Sequence, residues 1–225
     1  MFFNPLALIF FLLFLLFVMF FFVMVQIDII AFAFTEIGIP PPYVISALLF
    51  TLIGSFINIP IRKIPQETMI NAKTVSFYGF RHVIPYTKKR ETVLAINLGG
   101  AVIPVLISCY LLFKTELWAQ AGLATLFMTF VLFRLAKPLP GVGIALPAFI
   151  SPVLAAIVSI IISYSNAPVV AYISGTMATL IGADILNLKK IAKLGAPVAS
   201  IGGAGTFDGI FLNGILAVVL AALMA

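Results

Sequence analysis

Charged side chains are scarce in this chain of 225 residues. Only 9% of its residues are Asp, Glu, Lys or Arg, and 63% are hydrophobic, whereas about a quarter of the residues in an average soluble domain are charged. This composition excludes a sizeable soluble domain and predicts a protein that is surrounded by the lipid bilayer. At about 20 residues for each membrane-crossing helix, the chain has room for about six to eight spans.

Cysteine and histidine occur once each, as Cys109 and His82. A single cysteine excludes an internal disulfide and a dithiol redox pair, and one histidine without neighbouring ligands does not make a zinc site. We therefore expect no metal and no cofactor. Ionic chemistry then falls mainly to the seven acidic residues.

Apolar stretches follow one another along the whole chain. They cover residues 4–25, 43–61, 92–113, 117–135, 144–165, 168–188 and 200–224. The first is longer than the core of an export signal, so we interpret it as a retained span. Residues 26–42 contain Asp28, Glu36 and three prolines and are expected to form an interfacial connector. The predicted fold is an all-α polytopic membrane protein of about seven transmembrane helices, with a single transmembrane domain over residues 1–225.

The thirteen basic residues are concentrated in alternate connecting segments. They lie between the second and third spans, after the fourth and after the sixth, and only Lys114 lies in a segment of the other set. Positive residues in short loops remain cytoplasmic. We therefore expect a multi-pass protein of the cell membrane with a cytoplasmic amino terminus, an external carboxyl terminus and a basic cytoplasmic loop at 62–91.

The positive charge of that loop fits contact with lipid headgroups. No nucleic-acid-binding motif surrounds it, so we expect no nucleic-acid partner. Aromatic and branched residues are interleaved with polar ones at 75–84, a pattern that permits a short hairpin.

Two acidic residues lie where the bilayer penalises charge. Asp184 is inside the sixth apolar stretch and Asp208 is inside the seventh, whereas the other acids lie in connectors or at helix ends. A carboxylate at the centre of a membrane helix costs about 2.5–3.5 kcal/mol on insertion scales. Both aspartates are therefore candidate functional residues.

The two aspartates are expected at similar depth, on a helix pair over residues 168–224. Asp184 precedes Lys189 by five residues, about 7–8 Å along a helix, and Asp208 comes shortly after the start of the next span. Because consecutive helices are usually neighbours, the carboxyls can face each other. Two facing carboxyls in a low dielectric share a proton and supply an acid and a base, as in aspartic-protease chemistry.

Small and amide residues accompany both aspartates. Glycine lets a neighbouring helix approach closely and weakens the helix that contains it. The candidate site-supporting residues are Gly182, Gly203, Gly205, Gly209 and Asn187. Alternatively, the glycines only pack helices, and each aspartate bonds an adjacent hydroxyl or amide.

A second polar cluster interrupts the third apolar stretch, where Asn97, Gly99, Gly100 and Pro104 occur close together. Proline removes a helical hydrogen bond and paired glycines permit bending, so we expect a kinked or broken span. Such a span can serve as a gate, as in transporters whose broken helices coordinate ions. The alternative is a packed kink that an amide stabilises.

Two segments resemble those of other membrane proteins. Residues 97–104 (NLGGAVIP) and 202–211 (GGAGTFDGIF) are similar to the signature segments of an uncharacterised prokaryotic family of multi-span membrane proteins. Asp208, followed by Gly-Ile-Phe, also resembles the Gly-x-Gly-Asp segment of the aspartyl membrane proteases, which include presenilins, signal peptide peptidases and prepilin peptidases. That resemblance implies two catalytic aspartates on consecutive helices, with Asp184 as the partner.

The chain also departs from the protease pattern. Thr206 stands where that motif has its second glycine, and Ala183 precedes Asp184 where presenilin-like proteins have tyrosine. The late proline-alanine-leucine motif of those proteases does not follow Asp208.

Two functions follow from these residues. The first is an aspartyl intramembrane protease that cuts a membrane-spanning helical substrate between Asp184 and Asp208. The alternative is a proton- or cation-coupled transporter that uses the same aspartates as titrating sites. The pattern predicts neither a particular substrate nor an oligomeric state.

Overall fold

Helices make up most of the chain described by the computed structural model, which covers residues 5–77, 80–139, 143–147, 149–191, 198–203 and 209–225. The α-helices are α1 (Pro5–Glu36), α2 (Pro41–Ser55), α3 (Ile103–Thr115), α4 (Trp118–Leu135), α5 (Ile150–Ile162), α6 (Ala167–Ala178), α7 (Leu188–Ile191) and α8 (Gly209–Met224). Two π-helical segments adjoin α3 and α6, namely π1 (Leu98–Val102) and π2 (Thr179–Asp184), and 3-10 turns lie at Tyr164–Asn166 and Ile185–Asn187. The strands are β1 (Asn58–Phe77), β2 (Phe80–Asn97), β3 (Lys137–Leu139), β4 (Gly143–Ala145) and β5 (Val198–Ile201).

The described helices include four that are long and apolar enough to cross a membrane. These are Leu12–Glu36, Leu98–Thr115, Trp118–Leu135 and Tyr164–Asn187, and the shorter apolar helices are Pro41–Ser55, Ile150–Ile162 and Ile210–Met224. The prediction is confirmed in a coarser form: the protein is largely helical, and several of its helices are apolar and long enough to cross a lipid bilayer. The count of seven spans and the orientation of the termini stay predictions.

The outer surface of the helices carries large apolar side chains. Phe113, Leu126 and Ile161 are each more than 70% exposed. A water-soluble protein rarely exposes contiguous apolar surface of this kind. We therefore interpret these positions as the lipid-facing surface.

Helix α6 is enclosed by its neighbours, since ten of its twelve residues are buried. It packs against α3, α4, α5 and α8. Buried alanines fill part of this packing, among them Ala155 of α5, Ala171 and Ala178 of α6 and Ala217 of α8. Small residues allow close helix contact, which is the main attraction between helices in lipid.

A long β-hairpin takes the place of the predicted basic loop at 62–91. Strands β1 and β2 pair antiparallel from Asn58 opposite Asn97 to Phe77 opposite Phe80, and β5 pairs parallel with the base of β2. The ladder agrees with the predicted short hairpin at 75–84, which is the outer part of a longer arm. The prediction of an all-α fold is therefore wrong for this segment. Branched and aromatic residues, which favour strands, are frequent in it.

Two predicted spans have wrong boundaries at the base of this hairpin. The stretches at 43–61 and 92–113 were expected to be helical throughout, but α2 ends at Ser55 and the helical part of the next span begins only at Leu98. Residues 92–97 instead form a strand that packs on β5. A short apolar run fits a buried strand as well as a helix, so hydropathy alone does not distinguish the two.

The predicted connector at 26–42 is also largely helical, since α1 continues through Asp28 to Glu36. No proline or glycine occurs between Pro5 and Gly38. Gly38 has a φ of +79°, a left-handed conformation that commonly follows a helix end. Its carbonyl oxygen accepts a hydrogen bond from Lys114 Nζ at 2.6 Å.

Glycines allow α2 to cross π1 in direct backbone contact. A Cβ atom on Gly99 would lie less than 3.0 Å from the Thr51 carbonyl oxygen and the Ser55 nitrogen, and a Cβ on Gly54 would lie 2.9 Å from the Gly99 nitrogen. Because these are backbone atoms, side-chain rotation cannot relieve the overlap. The crossing therefore holds π1 at a fixed position beside α2.

We predict that Gly99→Ala lowers stability by about 1–3 kcal/mol through overpacking. The matched control is Gly122→Ala in α4, where a Cβ would meet open space and where alanine favours the helix by about 1 kcal/mol. Thermal unfolding in detergent micelles, followed by the fluorescence of the single tryptophan, Trp118, measures the difference. Equal melting temperatures for the two variants would contradict the described crossing.

Candidate functional site

The carboxylate of Asp184 lies where the longest central span breaks. α6 continues as π2, which ends at Asp184, and a 3-10 turn follows. Asp184 is partly buried, and its Oδ2 accepts a hydrogen bond from the backbone N–H of Gly202 at 3.1 Å. The bond therefore links the end of α6 to the turn that follows β5.

Gly202 can make this contact because it has no side chain. Its φ is +71°, and a Cβ there would lie 2.7 Å from the Cβ of Ala101 and 2.8 Å from its nitrogen. Other residues rarely adopt this backbone conformation, and here they would also collide with π1. The glycine thus packs on π1 while its N–H points to Asp184.

The second polar cluster of the sequence lies on the same side of the bundle. Asn97 is buried, and its Oδ1 accepts a hydrogen bond from the N–H of Gly100 at 2.7 Å. Its Nδ2 donates to the carbonyl of Ser55 at 2.7 Å and to Oδ1 of Asn58 at 3.1 Å. Ser200 of β5 donates its hydroxyl to the same Asn58 oxygen at 2.5 Å. One network therefore joins α2, β1, π1 and β5.

The third apolar stretch is irregular near the predicted kink, because its helical part begins with a π-helical segment. The irregular segment is π1, which contains Gly99 and Gly100, whereas Pro104 lies in the first turn of α3. Proline at that position removes an N–H group that has no partner within the helix in any case. A gating role for this segment stays a prediction.

Asn187 and Gly182 hold π2 in place. The buried Asn187 side chain donates from Nδ2 to the carbonyl oxygens of Gly182 and Ala183, both at 3.0 Å. A Cβ on Gly182 would lie 2.7 Å from the Thr129 carbonyl oxygen of α4. Both predicted supporting residues therefore act on the backbone segment that ends at Asp184.

The seventh apolar stretch is described only in part. Asp208 and Gly205 lie outside the described residues, and Gly209 is the first residue of α8. Gly203 follows Gly202, and a Cβ on it would lie less than 3.0 Å from the Ser200 side chain. The predicted facing of the two aspartates is therefore a prediction that the described residues do not test.

Helix α8 is fixed against α6 by an asparagine. Nδ2 of Asn213 donates to Thr179 Oγ1 at 2.6 Å and to the carbonyl of Gly175 at 2.8 Å. On the next residue, a Cβ at Gly214 would lie 2.6 Å from Thr176 Oγ1. Amide and hydroxyl side chains thus contact backbone atoms between α6 and α8.

Several buried polar atoms have no hydrogen-bond partner among the described residues. They are Ser151 Oγ, Tyr172 Oη, Thr176 Oγ1, Asn187 Oδ1 and Asn213 Oδ1. Buried polar groups are normally satisfied, often by ordered water. Sequence reasoning missed Tyr172 and Thr176, although their four-residue spacing places them on one face of a helix.

The described residues contain no group of three or more His, Cys, Asp or Glu side chains that could hold a metal ion. The arrangement can orient a carboxylate and hold polar ligands such as water.

Comparison with known proteins gives one match. A protein family of unknown function, DUF1614, matches residues 52–220, a range that begins in α2, contains the hairpin and both aspartates, and ends in α8. No curated protein and no solved structure shows significant similarity. The predicted resemblance to an uncharacterised family is confirmed, whereas prokaryotic origin and likeness to aspartyl proteases stay predictions.

We predict that Asn97→Ala destabilises the protein, because it leaves the Gly100 N–H and the Ser55 carbonyl without this partner, at about 1–3 kcal/mol for each buried group. Hydrogen exchange should also accelerate at the amides of π1. The control is Asn166→Ala, which removes an exposed side chain and should change little. Unchanged melting and exchange in Asn97→Ala would show that the network does not hold π1.

Proposed function

The chain belongs to the DUF1614 family, which carries no assigned activity, and from its site we propose that it is an aspartyl intramembrane protease that cuts membrane-spanning helical substrates with Asp184 and Asp208. The observation that carries the proposal is the alignment of α8 against α6. The resemblance of the Asp208 segment to the Gly-x-Gly-Asp segment of the aspartyl membrane proteases adds to it.

Two contacts define that alignment. The Gly202 N–H binds Asp184 at the end of π2, and α8 begins at Gly209, a few residues later. Further along α8, Asn213 binds Thr179 at the start of π2. α8 therefore runs back along α6 in the opposite direction.

The two aspartates are separated from this contact by the same number of residues. Asp184 comes five residues after Thr179, and Asp208 comes five residues before Asn213. In antiparallel helices these equal steps lead toward the same end of the bundle, at roughly 1.5 Å per residue. This spacing supports two carboxyl groups at one depth.

The bond from Gly202 supports a division of roles between the two aspartates. A backbone N–H donor stabilises the carboxylate anion, so we assign Asp184 as the general base and Asp208 as the proton-bearing acid. Water attacks the scissile carbonyl carbon and transfers a proton to Asp184, while Asp208 protonates the carbonyl oxygen. The C–N bond of the resulting diol then breaks as the leaving nitrogen takes the proton from Asp184 and one diol hydroxyl returns a proton to Asp208.

Water can reach this end of the bundle. Exposed Lys190 follows Asp184 by six residues and lies over the Phe133 ring at 5.1 Å, as expected of a lysine at a membrane surface. Because the basic residues are concentrated in alternate segments, we propose that this surface is cytoplasmic, with an internal amino terminus, an external carboxyl terminus and seven spans in the cell membrane.

We predict that Asp184→Asn and Asp208→Asn each reduce kcat by about 10⁴-fold or more, because each removes one of the two proton-transfer groups. The assay is cleavage of a fluorogenic transmembrane peptide by protein reconstituted in liposomes. Asp28→Asn is the matched control, because it removes an exposed acid from another apolar helix, and it should leave the rate unchanged. Cleavage that survives in either site variant would contradict the assignment of Asp184 and Asp208 as the catalytic pair.

A proton- or cation-coupled transporter is the second candidate. Two apolar spans contain the π-helical segments π1 and π2, and buried oxygens between α6 and α8 have no partner among the described residues. Transporters bind ions at the midplane with irregular helical backbone and such oxygens. Proton or cation flux into liposomes that both aspartate substitutions abolish, together with no cleavage by the wild type, would favour this function.

A further inference from the structure

An apolar pocket of about 280 Å³ is lined by residues from the base of the hairpin, β5, π1, the start of α3, π2 and the turn that follows π2. Ile185 directly follows Asp184, Ile201 directly precedes Gly202, and both line this pocket. The pocket is therefore lined by the chain neighbours of both partners of the hydrogen bond between Gly202 and Asp184.

The exposure of its walls shows how the pocket opens. Ala101 and Ile201 are buried, at 3% and 7% exposure, whereas Leu106 and Ile185 are 61% and 43% exposed. The buried residues form the inner wall and the exposed ones lie toward the mouth. Because exposed apolar side chains of this protein face lipid, an occupant enters from the bilayer rather than from water.

We propose that this pocket binds one large apolar side chain of the peptide substrate, leucine or phenylalanine, and so selects where the substrate is cut. The proposal rests on the proposed protease function. An apolar cavity of about 150 Å³ already holds benzene, so the pocket has room for such a side chain. Its described lining residues are all apolar, so a charged or amide group would be buried among them without a partner.

A peptide side chain fits the position better than a lipid tail. A side chain lies two bonds from its own peptide carbonyl, so a residue seated in the pocket holds a scissile carbonyl close to Asp184. The tail of a lipid is far along its chain from any ester, and it would present only hydrocarbon to the carboxylate. A lipid tail in the pocket would therefore bring no ester to the carboxylate of Asp184.

We predict that residue size at one substrate position controls cleavage. In wild-type protein, leucine or phenylalanine there should raise kcat/KM about 10–200-fold over alanine, the range for filling an apolar pocket. Val105→Phe narrows the pocket and should remove this preference, and Ile185→Ala widens it and should shift the preference toward tryptophan. Leu123→Phe, on the exposed face of α4 and outside the pocket, should behave as wild type.

A binding measurement separates this proposal from the protease itself. A transmembrane peptide with photoreactive leucine at the selected position should crosslink to Val105, Leu106 or Ile185 in wild-type protein, and Val105→Phe should reduce the crosslinks. Crosslinks without cleavage would contradict the protease and leave the pocket assignment standing.

Cleavage without a size preference and without crosslinks in the pocket would overturn the assignment and leave the protease standing. A bound phospholipid in native mass spectrometry that is lost in Val105→Phe, with no peptide crosslinks, would identify a lipid site and also overturn it. Folding of each variant is checked by its melting temperature in detergent.

Discussion

A polypeptide within lipid must satisfy its backbone N–H and C=O groups inside the protein, because hydrocarbon offers no hydrogen-bonding partner. Two apolar spans of this chain contain irregular π-helical segments, π1 and π2, and buried asparagines bind backbone groups at both segments. Asn97 accepts from Gly100 at π1. Asn187 donates to the carbonyls of Gly182 and Ala183 at π2. Each irregular segment is thereby fixed in place, and polar groups are held among the apolar helices.

Gly202 connects these two segments. It packs against Ala101 of π1 and donates its N–H to Asp184 at the end of π2. Since Gly202 directly follows β5, its position depends on the pairing of β5 with β2. The orientation of the carboxylate is therefore coupled to the base of the β-hairpin as well as to the packing of the helices.

Hydropathy was sufficient to predict apolar helices, and the cost of a buried charge was sufficient to single out Asp184. Hydropathy did not predict that residues 92–97 form a strand, because short apolar segments fit either secondary structure. The bonds from Gly202 to Asp184 and from Asn213 to Thr179 join residues far apart in the chain. Such contacts depend on helix rotation and strand pairing, which residue spacing does not encode.

The parallel pairing of β2 with β5 joins segments about a hundred residues apart, and contacts of such separation form late in folding. Helices α3 to α7 are synthesised between these two strands. A growing chain therefore contains Asp184 before it contains the glycine that orients this carboxylate. The hydrogen bond that fixes Asp184 can therefore form only after most of the chain has been synthesised, so that this contact is among the last to become possible.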